Sequence, residues 1–232
     1  LSDHNVDLIT LDLHMPGLYC GTCLKMQRQT GLRVPVVVVT SASPSEAYEV
    51  LGALENGAQD YIDKDQLREG TAELVGRLEA IAQGYRGKEY ATHSDVLRGD
   101  SSLQLVRPDC VLIGASTGGP EALTTMIEQM PQNSPPVIVV QHISKSFARP
   151  FARRLAKASG LILGEPIDGA RLEPDTIYLA HSDYHLGLTN RGGSLHLLVD
   201  NGAPLGSHKP SIDYLFQSAA KIKHKNFMAV LL

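Results

Sequence analysis

Short runs of branched apolar residues recur along this chain with amphipathic stretches between them, and that alternation restricts the possible folds more than any other feature. Residues 6–11, 34–39 and 58–62 are strand-length and apolar on both faces, with Val36-Val37-Val38-Val39 the purest case. Such runs suit parallel strands covered by helices on either side. Between the second and third, Ser43-Pro44-Ser45-Glu46 carries a capping-box signature, with Gly57 as the stop at the far end. Apolar Leu67, Leu74, Leu78 and Ile81 predict one more amphipathic helix over 67–83, ending at Gly84. Strand and helix alternate, so a parallel sheet is expected.

From Gly84 to about Pro108 the periodicity disappears, which predicts an interdomain linker over 85–108. A second unit then opens with Cys110-Val-Leu-Ile-Gly114, a glycine-rich turn and a helix pattern over 120–130. It continues with a strand over 137–140, a helix over 147–159, short strands near 177–179, 186–188 and 195–199, a helix over 211–220, and a last apolar run over 227–232. The predicted organisation is two α/β domains, 1–84 and 109–232, the second a doubly wound, mostly parallel sheet.

The 232 residues carry a net charge of −4, so no general basic field exists to hold a phosphate backbone, and nucleic acid is not an expected partner. The longest apolar runs fall far short of the ~18 residues of a membrane span, so no membrane insertion is expected. Leu1-Ser2-Asp3-His4 lacks the pattern of a secretory signal, and the chain reads as a fragment of a cytoplasmic protein. Three cysteines do not make a disulfide framework. Cys20-Gly-Thr-Cys23 has a spacing used in redox and zinc sites, but the context is not thioredoxin-like and a fourth zinc ligand is lacking; two structural thiols are expected.

Asp12 follows an apolar strand directly, Thr40 ends the next, and Lys64 follows the third. In an open parallel sheet, residues at carboxyl ends of strands line the crevice where ligands bind. A carboxylate with a hydroxyl and an ammonium beside it is what a phosphoryl acceptor requires, because the added charge must be neutralised and hydrogen-bonded. Leu11-Asp12-Leu13-His14-Met15-Pro16-Gly17, Thr40 and Asp63-Lys64 together resemble the receiver domain of two-component response regulators. The resemblance implies a flavodoxin-like fold, phosphorylation of Asp12 by a chemotaxis histidine kinase, Thr40 as the switch hydroxyl and Lys64 as the phosphoryl contact. It also implies a Mg²⁺ site, of which Asp12 and the backbone carbonyl of His14 are represented; the family's first strand and acidic pair would precede residue 1.

The second motif is Gly114-Ala-Ser116-Thr117-Gly118-Gly119-Pro120, between a strand and a helix. Flanking glycines permit a tight turn that presents the Ser116 hydroxyl at the sheet edge, with the N–H groups of Thr117 and Gly118 available to an oxyanion. A dinucleotide phosphate loop is the competing reading of the same glycines. The following strand separates the two, since it ends Val140-Gln141-His142 where a ribose-binding unit wants an acid. A histidine is what a serine nucleophile needs, and two consecutive strand ends bring such a pair within hydrogen-bond reach.

These residues, with 137–142 and His208-Lys209-Pro210-Ser211-Ile212-Asp213, resemble the catalytic domain of the chemotaxis protein-glutamate methylesterase family, which joins a receiver to a serine esterase domain. The resemblance implies demethylation of glutamate methyl esters, and deamidation of certain glutamines, on the cytoplasmic domains of chemoreceptors. No cofactor is implied for the esterase. The receiver would cover the active site until Asp12 is phosphorylated. The family's triad aspartate follows the strand corresponding to 227–232 and so would lie past this chain; Asp168, Asp175 and Asp213 do not match its position. A second reading is a phosphorylation-dependent signalling scaffold with an inactive hydrolase domain. His181 and His185 have a spacing that on a helix would suggest a metal pair, but their surroundings read as strand. His208 and Lys209 stand between a groove position and a plain loop pair.

Overall fold

The computed structural model describes residues 6–15, 18–31, 34–41, 43–86, 106–205 and 208–232. It divides into two compact units, one drawn largely from residues before Pro108 and the other largely from Pro108 onward. The first contains β1 (Ile9–Asp12), β2 (His14–Met15), β3 (Leu18–Tyr19), α1 (Cys20–Thr30), β4 (Val36–Thr40), α2 (Ala47–Glu55), β5 (Asp60–Asp63), α3 (Lys64–Glu69) and α4 (Ala72–Arg86). Its sheet has the order β1-β4-β5 with both pairs parallel. Every residue of β4 is buried, which is why the strand is four valines closed by Thr40. Val37 and Ile62 pack with Leu74 and Ile81 of α4 to form the core.

The single helix expected over 67–83 is two. Gly70 takes a left-handed φ of +57° and ends α3, after which the Thr71 hydroxyl accepts the Leu74 N–H at 3.3 Å and starts α4. Leu67 is accordingly exposed while Leu74 and Ile81 are in the core. Helix α4 also runs past Gly84 to Arg86, and residues 87–105 of the expected linker lie outside those described. At the capping-box sequence a turn precedes the helix, with the Glu46 N–H donating to the Ser43 carbonyl at 3.0 Å, so α2 starts only at Ala47. Gly57, φ +101°, ends it as expected.

The second unit contains β6 (Cys110–Ala115), α5 (Gly119–Ile127), β7 (Val137–Gln141), α6 (Lys145–Ser159), β8 (Ile162–Leu163), β9 (Thr176–Leu179), β10 (His185–Arg191), β11 (Ser194–Asp200), α7 (Ile212–Ala220) and β12 (Phe227–Leu231). Five strands form a sheet of order β12-β6-β7-β9-β8, parallel at every pairing. The runs at 186–188 and 195–199 are not part of that sheet: they form the antiparallel hairpin β10-β11, closed by Gly192-Gly193, both with positive φ. Strand β8 had no counterpart in the sequence reading.

The hairpin and α7 cover one face of the sheet. Leu186, Leu188, Leu197 and Leu215 pack there on Cys110, Leu112, Ile138, Val140 and Tyr178. Strand alternation turns Val111, Ile113, Val137 and Val139 to the other face, toward α5 and α6. Strand order reverses at β6, which has β7 on one side and β12 on the other. In a doubly wound sheet that reversal point, at the carboxyl ends of the strands, is where a crevice opens. Among the described residues no helix is long and apolar enough to cross a membrane.

Candidate active site

Strand β6 is buried to its last residue, and the chain then turns through Ser116-Thr117-Gly118 into α5 at the point of strand reversal. Gly118 has φ +74°, a conformation strained for any residue with a side chain. At Gly119 a Cβ would stand 2.0 Å from Gln141 Oε1 and 2.9 Å from the Ala115 Cβ, so the turn admits only glycine as it is packed. Gln141, 2% exposed at the end of β7, reaches across to this turn. Its Nε2 donates to the Ser116 carbonyl at 2.9 Å, and the Gly119 N–H donates to the same oxygen at 2.9 Å. Two donors on one carbonyl fix the backbone of Ser116.

The His142 N–H donates to the Ala115 carbonyl at 3.3 Å, extending the β6–β7 ladder one step past the strands. The two side chains beyond that step meet: Ser116 Oγ lies 3.1 Å from His142 Nδ1. When Nδ1 accepts from a hydroxyl the ring hydrogen sits on Nε2. Both residues are half-buried. Thr117 and Gly118, expected to supply N–H groups, occupy the turn at the amino end of α5, with Gly118 as its N-cap. The ring of His208 stacks on that of His142, with centroids 4.3 Å apart and planes inclined by 22°.

Of the three aspartates named as possible orienters, two hold loops: Asp168 accepts from the Val199 N–H at 3.0 Å, and Asp175 from the Ser134 N–H at 2.6 Å. Asp213 lies in the first turn of α7. The Leu232 N–H donates to the Gly114 carbonyl at 2.9 Å, which sets the last residue after β12 beside the Ser116 turn. His181 and His185 do not share a helix. His181 follows β9, and burial lowers its pKa. His185 opens β10 with both ring nitrogens bonded to backbone, Nε2 to the Ala203 carbonyl at 3.0 Å and Nδ1 to the Ser211 N–H at 3.1 Å. Among the described residues no three His, Cys, Asp or Glu side chains gather to hold a metal ion.

In the first unit, Asp12 ends β1, Thr40 ends β4 and Lys64 directly follows β5. Asp12 pairs with Val39, and Thr40 with Asp63, so all three sit along one sheet edge. Lys64 Nζ lies 2.8 Å from Asp12 Oδ2, and the His14 N–H donates to Oδ1 at 3.0 Å. The ammonium, then the peptide N–H, hold the Asp12 carboxyl below the usual carboxylate range against the opposing pull of burial. Thr40 is 1% exposed. Both Asp12 oxygens are thus engaged, and among the described residues no cluster of metal-binding side chains gathers around it. Cys20 opens α1, yet burial pushes its thiol up to about 11, the reverse of a reactive thiolate.

Sequence reasoning missed the role of Gln141, weighed only as a residue that was not acidic, and the ring contact of His208. The usable signal for Gln141 was its polarity at the end of an otherwise apolar buried strand. For His208 no local signal exists, because its partner is remote in sequence.

Residues 111–232 match the family model described as CheB methylesterase. Among curated proteins, the protein-glutamate methylesterase/protein-glutamine glutaminase of Chromohalobacter salexigens is 34% identical over 236 residues, 98% of this chain and 66% of its own length. The like-named protein of Enterobacter cloacae is 34% identical over 241 residues, covering 100% and 67% respectively. The chain thus spans about two thirds of these relatives. Among solved structures, the Thermotoga maritima CheB methylesterase catalytic domain superposes with a TM-score of 0.50 at 35% identity, over 54% of this chain and 67% of that one.

Proposed function

The chain belongs to the CheB methylesterase family, and from that membership we propose that it works as a serine hydrolase that demethylates glutamate methyl esters on chemoreceptors and deamidates certain glutamines. The observation that carries this reading is the 3.1 Å approach of Ser116 Oγ to His142 Nδ1 at the ends of adjacent parallel strands.

In the proposed reaction Ser116 Oγ attacks the ester carbonyl while its proton passes to His142 Nδ1. The negative charge on the carbonyl oxygen is met by the N–H groups of Thr117 and Gly118 at the amino end of α5, where the helix dipole adds to them. Collapse breaks the bond to the methoxy group, which takes the proton from His142 and leaves as methanol. Water then enters and attacks the acyl carbonyl while His142 accepts its proton, and the acyl-enzyme splits to the free glutamate as His142 returns that proton to Ser116 Oγ. Gln141 and the Gly119 N–H act earlier, by fixing the carbonyl of Ser116 so that its side chain keeps one direction. Ser116→Ala in the complete protein tests the assignment. Methanol release from methylated receptor should be lost, and undiminished release would refute the nucleophile.

For the first unit we propose a receiver role, in which a chemotaxis histidine kinase phosphorylates Asp12 and thereby raises esterase activity. The support is the convergence of a carboxylate, a hydroxyl and an ammonium at three strand ends. Phosphorylation can act only by stabilising the active conformation more than the resting one. The rate of methanol release with and without a small phosphodonor, in wild type and Asp12→Asn, checks this: stimulation confined to wild type is expected, and equal rates would count against it.

A further inference from the structure

The proposed reaction leaves His208 without a part, yet its ring covers one face of the His142 imidazole, 4.3 Å away and inclined to it by only 22°. His208 does not belong to the sheet. It lies between β11 and α7, forms an isolated antiparallel bridge with Leu205, and is itself exposed. A loop residue at such a place would ordinarily be free to move, but the chain is fastened on both sides of it. His185, 1% exposed, donates through Nε2 to the Ala203 carbonyl and accepts through Nδ1 from the Ser211 N–H. Ser211 then caps α7 by accepting the Tyr214 N–H at 3.3 Å. The His185 ring stacks on Tyr214, centroids 4.9 Å apart. A buried imidazole thus ties the stretch before His208 to the start of the helix after it.

We infer that His208 is a positioning residue, whose ring face restrains rotation of the His142 imidazole so that Nδ1 stays directed at Ser116. A planar ring lying against another blocks tilting while leaving the in-plane nitrogens accessible. An unrestrained imidazole can turn a carbon edge to the serine, and proton transfer needs the nitrogen within hydrogen-bond reach. Misplacement of a reacting group by about 1 Å costs roughly 100-fold in rate. The effect is expected on the chemical step, because the stack is made with the base.

The inference rests on the Ser116–His142 reading, and its test separates the two. In the full-length protein, His208→Ala and His208→Phe are compared with wild type and Ser116→Ala by methanol release, and by the rate at which phenylmethanesulfonyl fluoride labels Ser116. The expected result is that His208→Ala lowers kcat and the labelling rate by about 10- to 100-fold with KM nearly unchanged, while His208→Phe, which keeps a flat ring in place, restores most of both. Wild-type rates in both His208 variants would overturn the inference. Equal loss in Ala and Phe would overturn it too, since the ring face would then not be what matters. Retained activity in Ser116→Ala would instead overturn the underlying reading. The labelling rate keeps the test decisive whatever ester the enzyme prefers, and His208 is exposed, so neither substitution removes a core contact.

Discussion

Ser116 Oγ and His142 Nδ1 stand 3.1 Å apart across 26 residues of chain, a distance set by backbone and not by side-chain reach. Ala115 and Gln141 are register partners, and the His142 N–H still bonds the Ala115 carbonyl, so the two residues leave their strands at the same level. The strand order reverses at β6, which keeps that edge open.

Removing either member of this pair should therefore remove the same thing. Ser116→Ala and His142→Gln are each expected to lower kcat by roughly 10⁴-fold or more, and the double variant by little beyond the single ones, because groups acting as a unit are not additive. Steady-state methanol release on methylated receptor measures all three. Multiplicative losses would mean that the two residues act separately, three fully active variants would refute the pair as the catalytic machinery, and a wild type that releases no methanol would favour a scaffold over an enzyme.

Gly119 and Gln141 form a second coupled pair. A methyl at Gly119 would come 2.0 Å from Gln141 Oε1, so Gly119→Ala should displace the amide, break its bond to the Ser116 carbonyl and cost about 1–3 kcal/mol of overpacking. Shortening the side chain with Gln141→Ala removes that clash and leaves only the 2.9 Å approach to the Ala115 Cβ. Chemical denaturation of the two single variants and the double variant is expected to give a double that is more stable than the sum of the singles. Strictly additive penalties would show that the contact does not govern the turn.

How much of this was legible in the sequence depends on where each signal lived. Val36-Val37-Val38-Val39 announced a strand buried on both faces, and Ser116 and His142 followed from their places at strand ends. The strands at 186–188 and 195–199 were legible but their pairing as the hairpin β10-β11 was not, because short apolar runs look alike in a parallel sheet and in a ribbon packed upon it; Gly192-Gly193 was the local signal that distinguishes them. The break at Gly70 was hidden because Leu67 extends the apolar spacing of α4 although it is exposed. His185 and His208 act through partners far along the chain, which no periodicity records.

Lys64 gives the Asp12 carboxyl a measurable signature. Its ammonium is the main cause of the lowered pKa, so Lys64→Met should raise the Asp12 midpoint toward the ordinary carboxylate range, as read from the side-chain carboxyl carbon by NMR. The folded value lies below the unfolded one, so the pair adds stability above the unfolded value and loses it as pH falls through the folded value. Both side chains are more than a third exposed or close to it, at 36% and 35%, so screening keeps the contribution small and the melting temperature should barely change. An Asp12 midpoint that ignores Lys64 would remove the ammonium from the proposed phosphoryl site.

Asp60 and Arg77 present the opposite case, a carboxylate taken almost fully out of water. Arg77 Nε donates to Asp60 Oδ2 at 2.8 Å and its terminal nitrogen to the Tyr61 carbonyl at 3.1 Å, while the Tyr61 N–H donates to Asp60 Oδ1 at 2.8 Å. Burial still raises the Asp60 pKa despite the guanidinium beside it. Removing the cation leaves a buried charge uncompensated, so Arg77→Met should destabilise the protein by about 3–5 kcal/mol at neutral pH. The sign of the pH dependence follows from the raised folded value. The folded state binds the Asp60 proton more tightly than the unfolded state, so this group's contribution to stability decreases as pH rises through the window between the two values and recovers as pH falls. Without Arg77 the folded value moves further up and the window widens. Urea denaturation of Arg77→Met from neutral pH down to mildly acidic pH should recover part of the loss, whereas Asp60→Asn with Arg77→Met should show no such recovery. A penalty for Arg77→Met that is the same at every pH would mean that Arg77 acts through its bond to the Tyr61 carbonyl and its packing, and not through the Asp60 charge.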